Sequence, residues 1–301
     1  MRFFDLHTDT ASVIFDEKKS LLQNDLHVDL TRAGKNFEYT AFLTLFSDSR
    51  YTNMVGRFEA LMENLLGECQ GRVAFVKNVA EYEATKDQGL MPMLLAVEGA
   101  EMLRSDPEML LMAHREHNLV MSGITWNNPN PLYDENGLTS KGFEYVKTCM
   151  ENDIVVDVSH LHDKGTFDVL RTGAKTVASH SNARALTNVS RNLPDELIRE
   201  MGKQGGLIGL NFCRPFLNPE PSAACVDDIV RHAKYIADLA GVETLAIGSD
   251  FDGAGMPHGI TGVESLPSLR EALINGGFTA AETEQICYEN AFRFFLEGKK
   301  G

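Results

Sequence analysis

Short, nearly uninterrupted apolar runs alternate with longer amphipathic stretches along this chain. The runs predict strands at Arg2–Leu6, Thr40–Phe46, Pro92–Val97, Leu119–Thr125, Ile154–Val158, Thr176–Ala178, Leu207–Asn211 and Thr244–Gly248. A strand wet on one face alternates apolar and polar residues; one buried on both faces does not. Most of these runs are of the second kind.

The stretches between them predict helices at Met54–Cys69, Pro107–His117, Ser140–Glu151, His162–Arg171, Pro194–Lys203, Val226–Ala240, Leu266–Asn275 and Thr279–Leu296. Phe58, Leu61, Met62 and Leu65 share one face of the first. Asp106 before Pro107 reads as an N-cap, and Thr279 with Glu282 as a capping box. Asn275-Gly276-Gly277 reads as a stop.

Eight strands alternating with helices imply parallel strands and a (β/α)₈ TIM barrel, in one domain over residues 1–301. The alternative, a doubly wound open sheet, lacks a GxGxxG or GxxxxGK[ST] loop after any strand.

Composition narrows the function. The 301 residues carry 43 acidic and 28 basic side chains, a formal charge of −15. No basic surplus exists to displace counterions from nucleic acid or to hold an anionic membrane. The start, MRFFDLHTDT, breaks too early for a secretory signal, and no apolar run approaches the ~20 residues of a membrane span. Five scattered cysteines without a CxxC read as free thiols, so a cytoplasmic protein is expected.

In a barrel all strand C-termini meet at one face, where active sites form. The predicted strands run into His7-Thr8-Asp9, Glu98-Gly99, Ser159-His160, Ser179-His180 and Ser249-Asp250-Phe251-Asp252-Gly253. His7 and Asp9, two apart in an extended segment, are expected on one side. With Glu98, His160 and His180 they form a candidate metal set of three imidazoles and two carboxylates. Such mixed donors suit Zn²⁺. Five protein ligands exceed the three usual for one catalytic zinc, so two ions sharing a carboxylate are expected.

Other histidines read otherwise. His27-Val28-Asp29 repeats the HxD spacing away from a strand end and reads as structural. His114 and His117 fit neither HExxH nor HxxEH. His162 reads as a helix cap or surface residue, His232 and His258 as mostly solvated, and Cys149 and Cys213 as packing. Arg184 and Arg191 are each candidates to clamp a carboxylate.

These segments, with Asp5-Leu6-His7-Thr8-Asp9, Asp157-Val158-Ser159-His160, Ser179-His180-Ser181-Asn182-Ala183 and Arg191-Asn192-Leu193-Pro194, resemble the membrane (renal) dipeptidase family of zinc peptidases, among the amidohydrolase-type barrels. The resemblance spans essentially the whole chain. It implies that His7 and Asp9 bind one zinc, His160 and His180 the other, and that Glu98 bridges them. Arg191 corresponds to the arginine that holds the substrate's terminal carboxylate, and Asp250 to the acid/base. It implies Asp252 as an orienting neighbour and a homodimer as the family-level assembly.

One position departs. Where the family has a substrate-facing histidine after the fourth strand, this chain reads Ile124-Thr125-Trp126-Asn127-Asn128. Indole donates one hydrogen bond and cannot titrate. Trp126, Asn127 or Asn128 is then expected to serve the oxyanion. The function expected is dipeptide hydrolysis by a hydroxide between two zinc ions. The alternatives are the same site acting on another amide or a lactam, and a metal-binding barrel without turnover.

Overall fold

The computed structural model describes residues 1–48 and 50–297. Residues 298–301 lie outside them. Eight parallel strands close on themselves: β1 (Arg2–Thr8), β2 (Glu38–Leu45), β3 (Met91–Val97), β4 (Leu119–Gly123), β5 (Val155–Asp157), β6 (Thr176–Ala178), β7 (Leu207–Leu210) and β8 (Leu245–Ile247). Each pairs with the next in chain order, and β8 returns to β1 at Ile247 and Asp5. This is the expected (β/α)₈ barrel.

Burial on both faces explains the continuous apolar runs. In β1, Phe3 joins the apolar layer under the helices, whereas Phe4 and Leu6 join a second cluster with Phe42, Leu94, Ala96, Val155 and Val177. Alternate side chains thus face barrel interior and helix layer. Phe295 stacks on Phe4 and meets Phe42 edge-on, which stops the barrel at the end where the strands begin.

Most predicted helices appear within a residue or two of the expected bounds. Asp106 accepts from the Glu108 amide, and Thr279 and Glu282 form the capping box. The last helix differs. It runs Ala280–Glu284, opens into a π-turn over Gln285–Glu289, and resumes at Asn290–Phe295. Asn290 Nδ2 donates to the carbonyls of Val242 and Leu245, tying the helix to the foot of β8. Side-chain periodicity carries no signal for such a turn.

The short elements were not expected: helices Thr10–Glu17 and Val79–Asp87, strand Val73–Phe75 beside β3, and a hairpin of Tyr133–Asp134 with Gly137–Leu138. Among the described residues no helix is long and apolar enough to cross a membrane. All five cysteines are free.

His232 corrects the expectation of a solvated ring. It is fully buried; Nδ1 accepts from the Ala183 amide and Nε2–H donates to the Leu217 carbonyl. Burial, the largest influence, pulls its pKa from 6.5 down to about 4. Protonation therefore favours the unfolded chain. The stabilisation is complete above the unfolded pKa and drains away as pH falls toward the folded one, by roughly 3 kcal/mol. An NMR titration of this ring is expected to give a midpoint near 4; one near 6.5 would overturn the account.

Candidate metal centre

The predicted metal residues converge at the C-terminal face of the barrel. Glu98 Oε1 lies 2.7 Å from His160 Nε2, 3.3 Å from His180 Nε2 and 3.6 Å from His7 Nε2. Asp9 Oδ1 lies 3.6 Å from the same His7 nitrogen. Two ligand groups result, His7/Asp9/Glu98 and Glu98/His160/His180, each with donor atoms within 4.8 Å of one another and with Glu98 in common.

His7 and Asp9 meet for a reason other than strand alternation. The register of β1 against β2 slips between Asp5 and Thr8, and Asp9 has left the extended region (φ −90°, ψ 3°). Asp9 stands at the N-cap of Thr10–Glu17, yet its side chain caps nothing. An Asp there normally accepts a helix amide. Here Oδ1 is buried without a partner, as are His7 Nε2 and Glu98 Oε2. Buried polar atoms are normally satisfied. Three residues of one ligand group, each with an orphaned buried atom, are what divalent cations would satisfy.

Donor chemistry fixes the tautomers. Arg191 Nη2 lies 2.9 Å from His180 Nε2 and 3.1 Å from His160 Nε2. A guanidinium only donates, so toward Arg191 both nitrogens present lone pairs and the ring protons sit on Nδ1; the 2.7 Å contact of His160 Nε2 with Glu98 Oε1 is then a hydrogen bond donated by the protonated Glu98 carboxyl, the form its burial favours. His160 Nδ1–H reaches Asn127 Oδ1 at 3.1 Å, and His180 Nδ1–H reaches Ser179 Oγ at 2.8 Å. The two Nε2 atoms face each other across 3.1 Å. Two lone pairs repel at that distance unless a positive charge lies against them. Arg191 supplies it here.

Ser179 and Asp157 are the supports that sequence reasoning passed over. Ser179 Oγ–H donates to Asp157 Oδ2 at 2.6 Å, which leaves the oxygen to accept from His180 and, at 3.3 Å, from His7 Nδ1. Asp157 Oδ1 accepts the Ser159 and Ser179 amides. These bonds commit Asp157 to support, although it lies near enough to group with His7 and His180. The signal was available: Asp157 precedes His160 in the segment quoted above.

Charge is concentrated here. Burial lifts the Glu98 carboxyl well above its ordinary range, and burial followed by the charge of Asp9 lifts Asp250 to about 6. Burial opposes the charged form of His7, but Glu98 and then Asp9 outweigh it and raise that ring to about 10. Burial holds His160 and His180 neutral. Asp250 takes a left-handed backbone (φ 59°), and its Oδ2 accepts from Asn211 Nδ2 at 3.1 Å. Gly253 lets the carboxylates gather: a Cβ there would lie 1.8 Å from Asp9 Oδ2 and 2.6 Å from Asp250 Oδ1.

A cavity of about 910 Å³ opens above the cluster, with Phe46, Trp126, Arg191, Arg214 and Phe216 in its walls. Trp126 is held by its amide, which donates to Glu101 Oε1 at 2.9 Å, and packs against Phe46. Asn128 is removed as a candidate: it is buried and its Nδ2 donates to the Ser47 carbonyl. Arg184 is also removed, since both its Nη atoms pair with Asp163 at 2.6 and 2.7 Å. Asp252 and His27 brace each other, the Asp252 amide donating to His27 Nδ1. His162 caps helix Asp163–Arg171.

The chain matches the membrane dipeptidase family (peptidase family M19) over residues 1–300. It belongs to that family. Like its relatives, this member of the membrane dipeptidase family is a metal-dependent hydrolase of the dipeptidase class. A dipeptidase of known structure shares 26% identity and a TM-score of 0.87, each chain covering 98% of the other. A metallopeptidase from Rhodobacter sphaeroides, bound to a phosphinate mimic of L-Ala-D-Ala, shares 26% identity, a TM-score of 0.86 and 98% coverage of both chains. A dipeptidase of Claviceps purpurea is 30% identical over 190 residues, 62% of this chain and 43% of its own.

Proposed function

We propose that this member of the family hydrolyses dipeptides with two zinc ions, one held by His7 and Asp9, the other by His160 and His180, with Glu98 between them. The observation that carries this reading is the sharing of Glu98 by both ligand groups. Two such ions would lower the pKa of a water held between them and polarise the scissile carbonyl.

The chain's own residues do the rest. Asp250, beside the cluster, takes the proton from the attacking water and passes it to the leaving amine. Cations in the cluster would repel the Arg191 guanidinium from the imidazole nitrogens and leave it to hold the substrate's terminal carboxylate. That clamp restricts action to short peptides. Trp126, in the cavity wall, offers its indole N–H to the developing oxyanion. Free cysteines and the acidic surface support assignment to the cytoplasm, acting on small peptides rather than on nucleic acid or membrane.

A dipeptide library, with L-D pairs and a lactam included, tests the reading on zinc-loaded protein. Dipeptide cleavage, about two zinc ions per chain and loss of turnover with chelator are expected. Metal-free protein working at full rate would overturn the mechanism. Tight dipeptide binding without hydrolysis would favour the non-catalytic alternative, and preferential lactam opening the other.

Ser179→Ala tests the support of the rings. It removes the acceptor from His180 and His7 and leaves Asp157 Oδ2 without its donor. Groups acting through a metal ligand typically carry about 10–100-fold in metal affinity, and a loss of that size is expected in chelator competition. Unchanged affinity would deny Ser179 this role.

A further inference from the structure

We infer that Arg214 selects dipeptides carrying a side-chain carboxylate in addition to the terminal one. This rests on the dipeptidase reading and on Arg191 as the terminal clamp. Arg214 opens the short helix Arg214–Leu217 beyond β7 and lines the same cavity as Arg191. Its amide donates to the Gly255 carbonyl at 3.3 Å, and its Nε donates to the Met256 carbonyl. The stem is thereby tethered, and the two Nη groups are left over.

Those groups have no counter-ion. Among the described residues no carboxylate oxygen lies within 4.0 Å of this guanidinium. Several half-buried arginines elsewhere are paired, Arg32 with Asp29 and Arg184 with Asp163 among them, whereas the two arginines lining this cavity, Arg191 and Arg214, both lack a carboxylate partner among the described residues. In a chain of charge −15, an unpaired and half-buried arginine at a cavity wall stands out.

The acids of the cavity do not offset it. Asp9, Glu98 and Asp250 gather at the metal cluster. Asp252 is turned away, with Oδ2 accepting from Thr10 Oγ1 at 2.5 Å and Oδ1 from the His27 amide at 2.6 Å. Around Arg214 the wall is apolar, with Pro215, Phe216 and Pro221. A guanidinium beside apolar surface pairs strongly with carboxylate and repels ammonium. An acidic substrate side chain is the complement; a basic one is excluded.

The test compares kcat/KM for Ala-Asp, Ala-Glu and Asp-Ala with the neutral Ala-Asn and Ala-Ala and the basic Ala-Lys, on zinc-loaded wild type, Arg214→Gln and Arg214→Glu. Wild type is expected to prefer at least one acidic dipeptide over its neutral isostere by about 10–100-fold. The position of that acid identifies the residue of the dipeptide that Arg214 meets. Arg214→Gln should bring the ratio near one, and Arg214→Glu should turn it toward Ala-Lys. Ratios within one protein cancel losses of folding or metal. A wild type that does not distinguish acidic dipeptides from neutral ones, or a preference that survives both substitutions, would overturn the inference. Failure to cleave any dipeptide, neutral or acidic, would sink the dipeptidase reading itself and this inference with it.

Discussion

Asp250→Asn is expected to keep its bound metal and lose dipeptide turnover by about 10²–10⁴-fold, the usual contribution of a positioned proton-transfer group. The substitution is mild for the backbone, because asparagine tolerates the left-handed conformation that residue 250 adopts. The amide oxygen can still accept from Asn211. Removing the charge relieves repulsion with Asp9, so the ligand set is not weakened by it. What disappears is the group that can accept and return a proton. Measured kcat at confirmed metal content decides the matter. Near wild-type turnover with full metal, or loss of metal with the rate intact, would contradict the role.

Glu98→Gln is expected to behave oppositely, losing metal and turnover together. Among the described residues Glu98 is the one carboxylate within 3.6 Å of all three histidine Nε2 atoms, so both ligand groups depend on it. A glutamine presents one oxygen and an amide that donates to the same lone pairs that would bind cations. The fall in affinity should exceed the ~100-fold associated with groups acting only through a ligand. Zinc should then no longer raise its melting temperature. Retention of two ions, or a melting temperature that zinc still raises, would deny Glu98 the bridging position.

Much of this molecule was legible in the residues. Short apolar runs, most of them continuous, revealed all eight barrel strands, because a strand buried on both faces has no polar side to show. The convergence of His7, Asp9, Glu98, His160 and His180 was legible because polar residues at successive strand ends meet at one face of a barrel. Several helices appeared at their expected bounds because caps such as Asp106 and Thr279 act through neighbours two or three residues away.

What failed was of another kind. His232 looked solvated, but its partners Ala183 and Leu217 are 49 and 15 residues distant. The π-turn at Gln285–Glu289 accompanies anchoring of Asn290 under β8, a contact remote in sequence.

By itself, then, the sequence determined the barrel, the strand-end donors and the balance of charge, since local periodicity and residue chemistry suffice for these. Tertiary structure alone decided that a register slip and the N-cap of Thr10–Glu17 bring Asp9 to His7, that Ser179 and Asp157 set the rings, and that Arg214 has no counter-ion among the described residues. Each depends on which atoms end up a few ångströms apart, and that distance is set by how the closed barrel packs.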